Sequence, residues 1–452
     1  MSANPMKTIL LVNPWIHDFA AYDFWIKPLG LLYIASFLRK NGFKVEFIDC
    51  LDPWNVLMKK ETADKPLRRF ASGHGKYFKE IIAKPAPLAD IPKNYHRYGI
   101  TLAVFREMLK RLQKPQLILV TSMMTYWYPG VFETIRLVRE IFSDVPLVLG
   151  GNYATLCPQH ARLAGADHLL TGNGEEKLAS LLEQIFGTKL SFIPWAAELD
   201  SYPYPAYDLI GHPEQLPIRT SRGCPFSCTY CASGLLNQYF QRRDPDKVFA
   251  EIEFWQKTLK VRHFSLYDDA FLIQPQEMAI PLLREIIGQR LPSQFHCPNG
   301  LHAREINEEV ACLMYGAGFK TLRLGFETAD LARQRTTGGK VSNGDLKLAV
   351  DCLRKAGYGK NEIGIYLLCG LPGQVAHEVE ESILFVQSCG ARPILAEFSP
   401  IPGTALWSEA VRVSSPPIET EPLYHNNSLF PCAGANFTAE MYRRLKAMTL
   451  AT

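Results

Sequence analysis

The sequence has few charged residues for its length and little excess of either sign. Charged side chains make up 21% of 452 residues, and the formal net charge is +4. This weak positive charge argues against a protein that binds nucleic acid through a broad basic surface. The sequence therefore predicts that nucleic acid is not the main partner.

Long apolar runs are also missing. None reaches the roughly 18 residues that a membrane-spanning helix needs. Residues 1–7 lack the charged-then-apolar order of a signal peptide. We therefore expect a cytoplasmic protein with no membrane segment.

A disulfide framework is not indicated either. The eleven cysteines are odd in number and scattered along a long chain without an export signal. Three of them form a motif that is described below. The others sit mostly in apolar segments and are interpreted as small buried hydrophobic residues: Cys50, Cys157, Cys297, Cys312, Cys352, Cys369, Cys389 and Cys432.

Short apolar segments alternate with helical patterns over residues 1–190. This alternation predicts an α/β domain with a doubly wound, Rossmann-like parallel sheet. Residues 51–100, which are rich in lysine, arginine and proline, are interpreted as a long inserted loop. The predicted strands lie near residues 7–13, 43–49, 116–121, 146–149 and 167–171.

A second alternating series begins after a Pro- and Tyr-rich linker at 191–215. Six strand–helix units in residues 216–405 predict a partial (β/α)6 barrel. Residues 406–452 are expected to form a short C-terminal tail. The predicted strands of this series lie near residues 217–221, 262–267, 293–297, 321–326, 362–369 and 394–399.

Cys224, Cys228 and Cys231 form a C-x3-C-x2-C motif directly after the first strand of the second series. Thiolates are the ligands of iron–sulfur clusters, and three of them on one loop can hold three irons of a [4Fe–4S] cluster while the fourth stays open. The alternative is structural zinc, which needs four protein ligands. No fourth Cys or His lies within ten residues, and His212 is the nearest candidate.

These three cysteines, with Tyr230 before the last one, resemble the signature of the radical S-adenosylmethionine (SAM) superfamily. The resemblance covers about residues 215–405. It implies that SAM chelates the open iron and is cleaved by one electron to a 5′-deoxyadenosyl radical. It also implies an external one-electron reductant of the flavodoxin or ferredoxin type.

Later motifs resemble those of the same superfamily. Asp268 and Asp269 stand where the superfamily has Gly-Gly-Glu, and Asp269 aligns best with its carboxylate, although the pair could instead cap the next helix. Glu327 ends the fourth strand and would contact the SAM ribose or carry a substrate proton, with an ion pair to Arg323 as the alternative. Glu327 and Asp269 are the predicted catalytic residues. The resemblance implies SAM contacts at Tyr230, Arg242, Asp268, Asp269, Asn299, Arg323, Glu327, Gly370 and Pro372.

The first domain resembles the cobalamin-binding domain that precedes many radical SAM domains. The resemblance rests on Asn13-Pro14, Pro28 to Leu31, Asp49 and two glycine loops, which would let backbone approach a bulky ligand. The cobalt-ligating motif Asp-x-His-x-x-Gly is missing, since Asp167-His168 has the wrong spacing. The alternative to a cobalamin-binding domain is a vestigial domain that holds no corrin. The resemblance implies cobalamin contacts at Ser122, Gly150, Gly151, Tyr153, Gly172 and Gly174.

Together these features predict a radical SAM enzyme of the cobalamin-dependent, class B methyltransferase-like group. The expected reaction is methylation of an unactivated carbon in a small molecule or a peptide. The alternatives are another rearrangement or cyclisation, with or without cobalamin, a methylthiotransferase-like reaction, and a non-enzymatic iron–sulfur redox sensor. Candidate substrate contacts, by elimination, are residues 59–100 and 421–428.

Overall fold

The computed structural model describes residues 6–59, 67–187, 189–194, 198–434 and 437–450. The predicted insertion, linker and tail each contain a few residues outside these ranges. The chain divides into two compact units, Met1–Pro213 and Glu214–Thr452. Within the described ranges, no helix combines the length and the apolar character needed to cross a membrane.

The first unit alternates short strands and helices. Its strands are β1 (Thr8–Asn13), β2 (Ile16–Asp18), β3 (Lys44–Asp49), β4 (Lys79–Ile82), β5 (Tyr95–Tyr98), β6 (Leu117–Val120), β7 (Leu147–Leu149) and β8 (His168–Leu169). Its helices are α1 (Leu29–Lys40), α2 (Leu102–Arg111), α3 (Tyr128–Ile141), α4 (Asn152–Leu156), α5 (Pro158–Ala161) and α6 (Gly174–Phe186).

Five of these strands form a fully parallel sheet in the order β3-β1-β6-β7-β8. Successive side chains of β1 point to opposite faces. Leu10 and Val12 enter one hydrophobic core, whereas Ile9 and Leu11 enter another on the other face. The predicted Rossmann-like fold is confirmed. In open parallel sheets of this kind, ligands bind beyond the carboxyl ends of the strands.

The interpretation of residues 51–100 as a loop is wrong in part. β4 and β5 lie within this segment and pair antiparallel with each other, and β5 also pairs antiparallel with β2, which follows β1 directly. Arg97 of β5 is buried and donates to Glu80 at 2.7 Å and to Glu133 of α3 at 3.0 Å. The insertion therefore supplies two strands of a small folded sheet, and the buried Arg97 ties it to Glu133 of α3.

The predicted linker also has fixed contacts. Ser36 of α1 donates its hydroxyl to the Tyr204 carbonyl at 2.6 Å, and the Ala206 amide donates to the Leu32 carbonyl at 3.1 Å. The described part of this segment therefore packs on α1 as part of the first unit.

The second unit continues the alternation. Its strands are β9 (Gln215–Ile218), β10 (Ser221–Arg222), β11 (Gln241–Arg242), β12 (His263–Leu266), β13 (Gln294–His296), β14 (Leu301–His302), β15 (Phe319–Glu327), β16 (Ile363–Cys369) and β17 (Arg392–Glu397). Its helices are α7 (Ser233–Leu236), α8 (Pro245–Leu259), α9 (Ala279–Gly288), α10 (Glu308–Gly316), α11 (Leu331–Thr337), α12 (Asn343–Ala356), α13 (Ala376–Ser388), α14 (Trp407–Val413) and α15 (Ala439–Met448).

Parallel strands form the sheet of this unit in the order β17-β16-β15-β13-β12-β9, with β14 pairing to β15 beside this path. Helices between the strands complete the six predicted strand–helix units. The predicted partial barrel is confirmed, and in such folds the carboxyl ends of the strands carry the chemistry.

The tail after residue 405 folds back onto the barrel. Ala410 of α14, Ile418 and Cys432 share a hydrophobic cluster with Leu368 of β16 and Phe398. The tail therefore belongs to the core of the second unit.

Candidate functional site

The three motif cysteines lie on a loop that is closed by a short hairpin. β10 and β11 pair antiparallel on either side of it, so that Ser221 lies opposite Arg242. Gly223 opens the loop with φ +79°, and a Cβ there would lie 2.6 Å from the Tyr239 carbonyl oxygen. Only glycine fits this position without a shift of the backbone.

Two other segments hold the loop from outside. The Thr229 amide donates to the Thr337 carbonyl at the end of α11, and the Leu406 amide donates to the Thr229 carbonyl at 2.8 Å. Gly338 lies so close to Cys228 that a Cβ at Gly338 would be 3.3 Å from its sulfur. The loop is therefore fixed by packing that does not involve a bound metal.

Burial raises the pKa of the Cys224 thiol to about 11 and also raises that of Cys231. Metal binding must then displace protons from these thiols. The amide of Ser233 donates to the Cys231 sulfur at 3.4 Å, which would stabilise a thiolate there. Within the part of the chain that the structure describes, no three His, Cys, Asp or Glu side chains surround a single metal position. A closed zinc site needs four protein ligands around one metal, whereas the irons of a cluster each need only one thiolate.

The two aspartates after β12 lie in different environments. Asp268 is buried and accepts hydrogen bonds from the Thr220 amide at 2.9 Å and from the hydroxyls of Thr220 and Ser221 at 2.7 Å. Asp269 is exposed and accepts from the Ser233 hydroxyl, next to the cysteine loop, at 2.6 Å. Asp268 is thus used to hold the start of the cysteine loop, and Asp269 is the carboxylate available to a ligand.

Glu327 has an ion-pair partner that the sequence did not reveal. Lys340 Nζ lies 2.8 Å from Glu327 Oε1 and 3.4 Å from the Tyr230 hydroxyl, and both charged side chains are mostly buried. Tyr230 in turn hydrogen-bonds Glu327. The alternative role of Glu327, a structural ion pair, is therefore observed with Lys340, whereas Arg323 donates to the Leu322 carbonyl at 2.9 Å and hydrogen-bonds Tyr366.

The charges of this group depend on one another. Burial acts to lower the pKa of Lys340, but the charge and hydrogen bond of the Glu327 carboxylate, with the ionised forms of Cys228 and Cys224 adding to them, outweigh burial, so the pKa is raised. Burial, with Glu327 adding to it, raises the pKa of the Tyr230 hydroxyl. Glu327 itself has φ +75°, a strained conformation for a non-glycine residue that is typical of functional sites.

The other predicted SAM contacts make hydrogen bonds or packing contacts within the second unit. Arg242 donates to the Ile273 carbonyl at 3.1 Å, and Asn299 donates its amide to the Asp268 carbonyl at 3.2 Å. Gly370 has φ +85° at the end of β16, where a Cβ would meet the Phe430 ring at 2.8 Å. The Pro372 carbonyl accepts from Arg333 at 3.4 Å.

In the first unit, the glycine loops follow β7 and β8. A Cβ on Gly151 would lie 2.2 Å from the Ser122 carbonyl oxygen, so this glycine is required by the protein's own backbone. The Ser122 hydroxyl donates to the Gly150 carbonyl at 2.6 Å, which ties the loop after β6 to the loop after β7. By contrast, a Cβ on Gly174 would meet no described atom within 4 Å.

Other residues of these loops are engaged in the fold. Tyr153 is fully buried, and its hydroxyl lies 2.6 Å from His160 Nδ1, which argues against a contact between its ring and cobalamin. The Gly172 amide donates to the Thr155 hydroxyl at 2.9 Å. The Asp167 carboxylate accepts from the Leu147 amide at 2.7 Å, so it caps a strand rather than orienting a cobalt-ligating histidine.

Family models match both units. The model of the radical SAM superfamily matches residues 218–386, and that of the B12 binding domain matches residues 99–182. The chain therefore carries a radical SAM domain preceded by a B12-binding domain. These domains imply three cofactors: a [4Fe–4S] cluster, SAM and cobalamin.

Individual relatives are distant. An uncharacterized methyltransferase of Pyrococcus horikoshii is 24% identical over 341 residues, which cover 68% of this chain and 72% of the relative. An anaerobic magnesium-protoporphyrin IX monomethyl ester cyclase of Cereibacter sphaeroides is 25% identical over 342 residues, covering 67% of this chain but only 54% of the cyclase. The fold is similar to that of the radical SAM methyltransferase TsrM from Kitasatospora setae, with a TM-score of 0.65, 16% identity, and coverage of 91% of this chain and 77% of TsrM.

Proposed function

We propose that this chain, a radical SAM enzyme with a B12-binding domain, methylates an unactivated carbon of a small molecule or a peptide. The observation that carries the proposal is the presence of both cofactor domains in one polypeptide. When bound, the cluster and SAM supply radical chemistry, and cobalamin supplies a carrier for a methyl group.

The cysteine loop would hold the cluster. Cys224, Cys228 and Cys231 would each bind one iron, which leaves one iron open to SAM. Asp269 would accept a charge-assisted hydrogen bond from the SAM ammonium, because its carboxylate is exposed beside this loop. The open iron and Asp269 would together fix the methionine end of SAM.

Lys340 would act on the other charged group of SAM. Its ammonium lies over Gly325, where a Cβ would be 3.1 Å from both Lys340 Nζ and Glu327 Oε1. The close pair with Glu327 keeps Lys340 charged while it is buried. We propose that Lys340 pairs with the SAM carboxylate and that Glu327 orients Lys340 and contacts the ribose.

Ser122, Gly150 and Gly174 are the proposed cobalamin contacts in the first unit. They follow β6, β7 and β8, at the carboxyl edge of the parallel sheet. The space beside Gly174 would admit a bulky ligand close to backbone.

The test is to purify the protein without oxygen, reconstitute it and follow a labelled SAM methyl group. We expect about four irons and one corrin per chain, and transfer of the labelled methyl group from SAM to cobalamin. Iron without retained corrin would refute the methyl-transfer proposal, and stoichiometric zinc would refute the radical SAM site itself. An external one-electron donor, such as a flavodoxin, would be added to start turnover.

A cyclisation is the second candidate, because a cyclase is among the relatives. It would give 5′-deoxyadenosine without transfer of the methyl group to cobalamin.

A methylthiotransferase-like reaction needs a second cluster, but Cys50 is buried in the hydrophobic core of the first unit, and burial raises the pKa of Cys157 to about 12. About four irons per chain, rather than eight, would exclude it. A redox sensor would show no reductive cleavage of SAM.

A further inference from the structure

His302, at the end of β14, is a buried side chain without an obvious structural purpose. Only 4% of its surface is exposed, and its Nδ1 has no hydrogen-bond partner among the described residues. Buried polar atoms are nearly always paired in folded proteins, and an orphan therefore requires an explanation. A group bound in the working enzyme would supply the missing partner.

The position of His302 indicates which group this is. Its ring stacks on Phe226, with centroids 4.9 Å apart and an angle of 24° between the planes. Phe226 lies midway between Cys224 and Cys228 on the cysteine loop. The backbone of His302 lies in register with Gly325 of β15, over which Lys340 is placed. His302 is therefore packed between the cysteine loop and the Lys340 group.

The imidazole is neutral at physiological pH. Burial, together with the positive charge of Lys340, lowers the pKa of His302 to about 4. A neutral imidazole carries one N–H donor and one acceptor nitrogen. It can thus donate a hydrogen bond without adding a charge to the site.

We propose that Nδ1 of His302 donates a hydrogen bond to the iron–sulfur cluster held by Cys224, Cys228 and Cys231, and thereby raises the cluster's reduction potential. Hydrogen bonds to the sulfurs stabilise the reduced cluster, which carries one more negative charge. The inference rests on the proposed cluster, and His302 is a positioning residue that tunes it rather than a catalytic one.

The experiment compares His302→Phe with His302→Asn in the full chain, reconstituted without oxygen. Phe keeps a ring that can stack on Phe226 but removes both nitrogens, whereas Asn keeps a polar group near the position of Nδ1. The control is His263→Phe, because His263 stacks on His296 in the same barrel, with centroids 5.4 Å apart, at the start of β12. Iron content and a redox titration followed by electron paramagnetic resonance are the readouts.

We expect about four irons per chain in all variants and a potential that becomes more negative in His302→Phe. The potentials of His302→Asn and His263→Phe should stay nearer that of the unmodified chain. Loss of iron in His302→Phe alone would contradict the inference, because His302 would then be needed to retain the cluster rather than to tune its potential. An unchanged potential in His302→Phe, or the same shift or iron loss in Phe and Asn, would overturn the inference. If the unmodified chain takes up no iron, the proposed function fails first and this inference fails with it.

Discussion

Replacement of Lys340 by methionine tests the proposed SAM site most directly. Methionine has a similar length but no charge, so Lys340→Met should remove the contact to the SAM carboxylate. A charge-assisted hydrogen bond contributes about 1.5–3 kcal/mol, which corresponds to a weakening of SAM binding by roughly 10- to 150-fold. Lys340→Arg keeps the charge and should lose less affinity.

The same substitution also leaves Glu327 without its partner, and this effect must be separated from the first. Only 16% of the Lys340 side chain and 11% of the Glu327 side chain are exposed, and loss of one partner of a buried pair costs about 3–5 kcal/mol of stability. Glu327→Gln in the Lys340→Met background removes the unpaired charge and should recover most of this stability. It should not recover SAM affinity.

Two assays are needed. One measures equilibrium binding of SAM to the reconstituted protein under oxygen-free conditions, and the other measures thermal unfolding of each variant. The double variant carries the decisive comparison. If it is as stable as the unmodified chain and binds SAM equally well, Lys340 serves only to neutralise Glu327, and the reasoning about the SAM carboxylate is refuted.

Three further predictions concern other parts of the molecule. Asp269→Ala should weaken SAM binding by about 1.5–3 kcal/mol in the same assay. Asp268→Ala should mainly lower thermal stability, because four donors at Thr220 and Ser221 lose their acceptor. Equal SAM affinity in both variants would contradict this assignment. Gly174→Val should abolish retention of hydroxocobalamin after gel filtration while the iron content stays near normal. Gly151→Val should instead destabilise the whole first unit, because its side chain would collide with Ser122. Corrin retention in Gly174→Val would remove this residue from the proposed site. Burial raises the pKa of Asp49 to about 6 in the folded chain, so its contribution of about 1–3 kcal/mol to the free energy of unfolding is complete below pH 3.8 and is lost as the pH rises through 6. Chemical denaturation between pH 4 and pH 7 should show that the free energy of unfolding depends less steeply on pH in Asp49→Asn than in the unmodified chain. An identical pH dependence in the two proteins would argue against a protonated Asp49.

The elements with strong hydrophobic periodicity were predictable from the sequence. The strand predicted near 362–369 is observed at Ile363–Cys369, and the strand predicted near 43–49 is observed at Lys44–Asp49. Both are long enough for their buried side to show in the pattern. The sheet of the insertion was missed because β4 and β5 have only four residues each and because β2, with which β5 pairs, lies about 80 residues earlier in the chain.

The candidate site divides in the same way between local and distant information. The cysteine motif is contained in eight consecutive residues, so its spacing could be interpreted directly. Lys340 could not be found in this way, because it follows α11 and reaches Glu327 only through the turn at Gly338 and Gly339, both of which have positive φ.

The glycines show why a pattern of residue types does not by itself identify a ligand contact. Gly151 and Gly174 belong to similar loops at the same edge of one sheet, and the sequence predicted the same role for both. In the structure the space beside Gly151 is filled by the Ser122 backbone, whereas no described atom lies within 4 Å of a Cβ on Gly174. A glycine that the fold already requires carries no information about a bound group, and a glycine with open space beside it only permits one, so cobalamin binding in this chain is supported by the B12-binding domain as a whole.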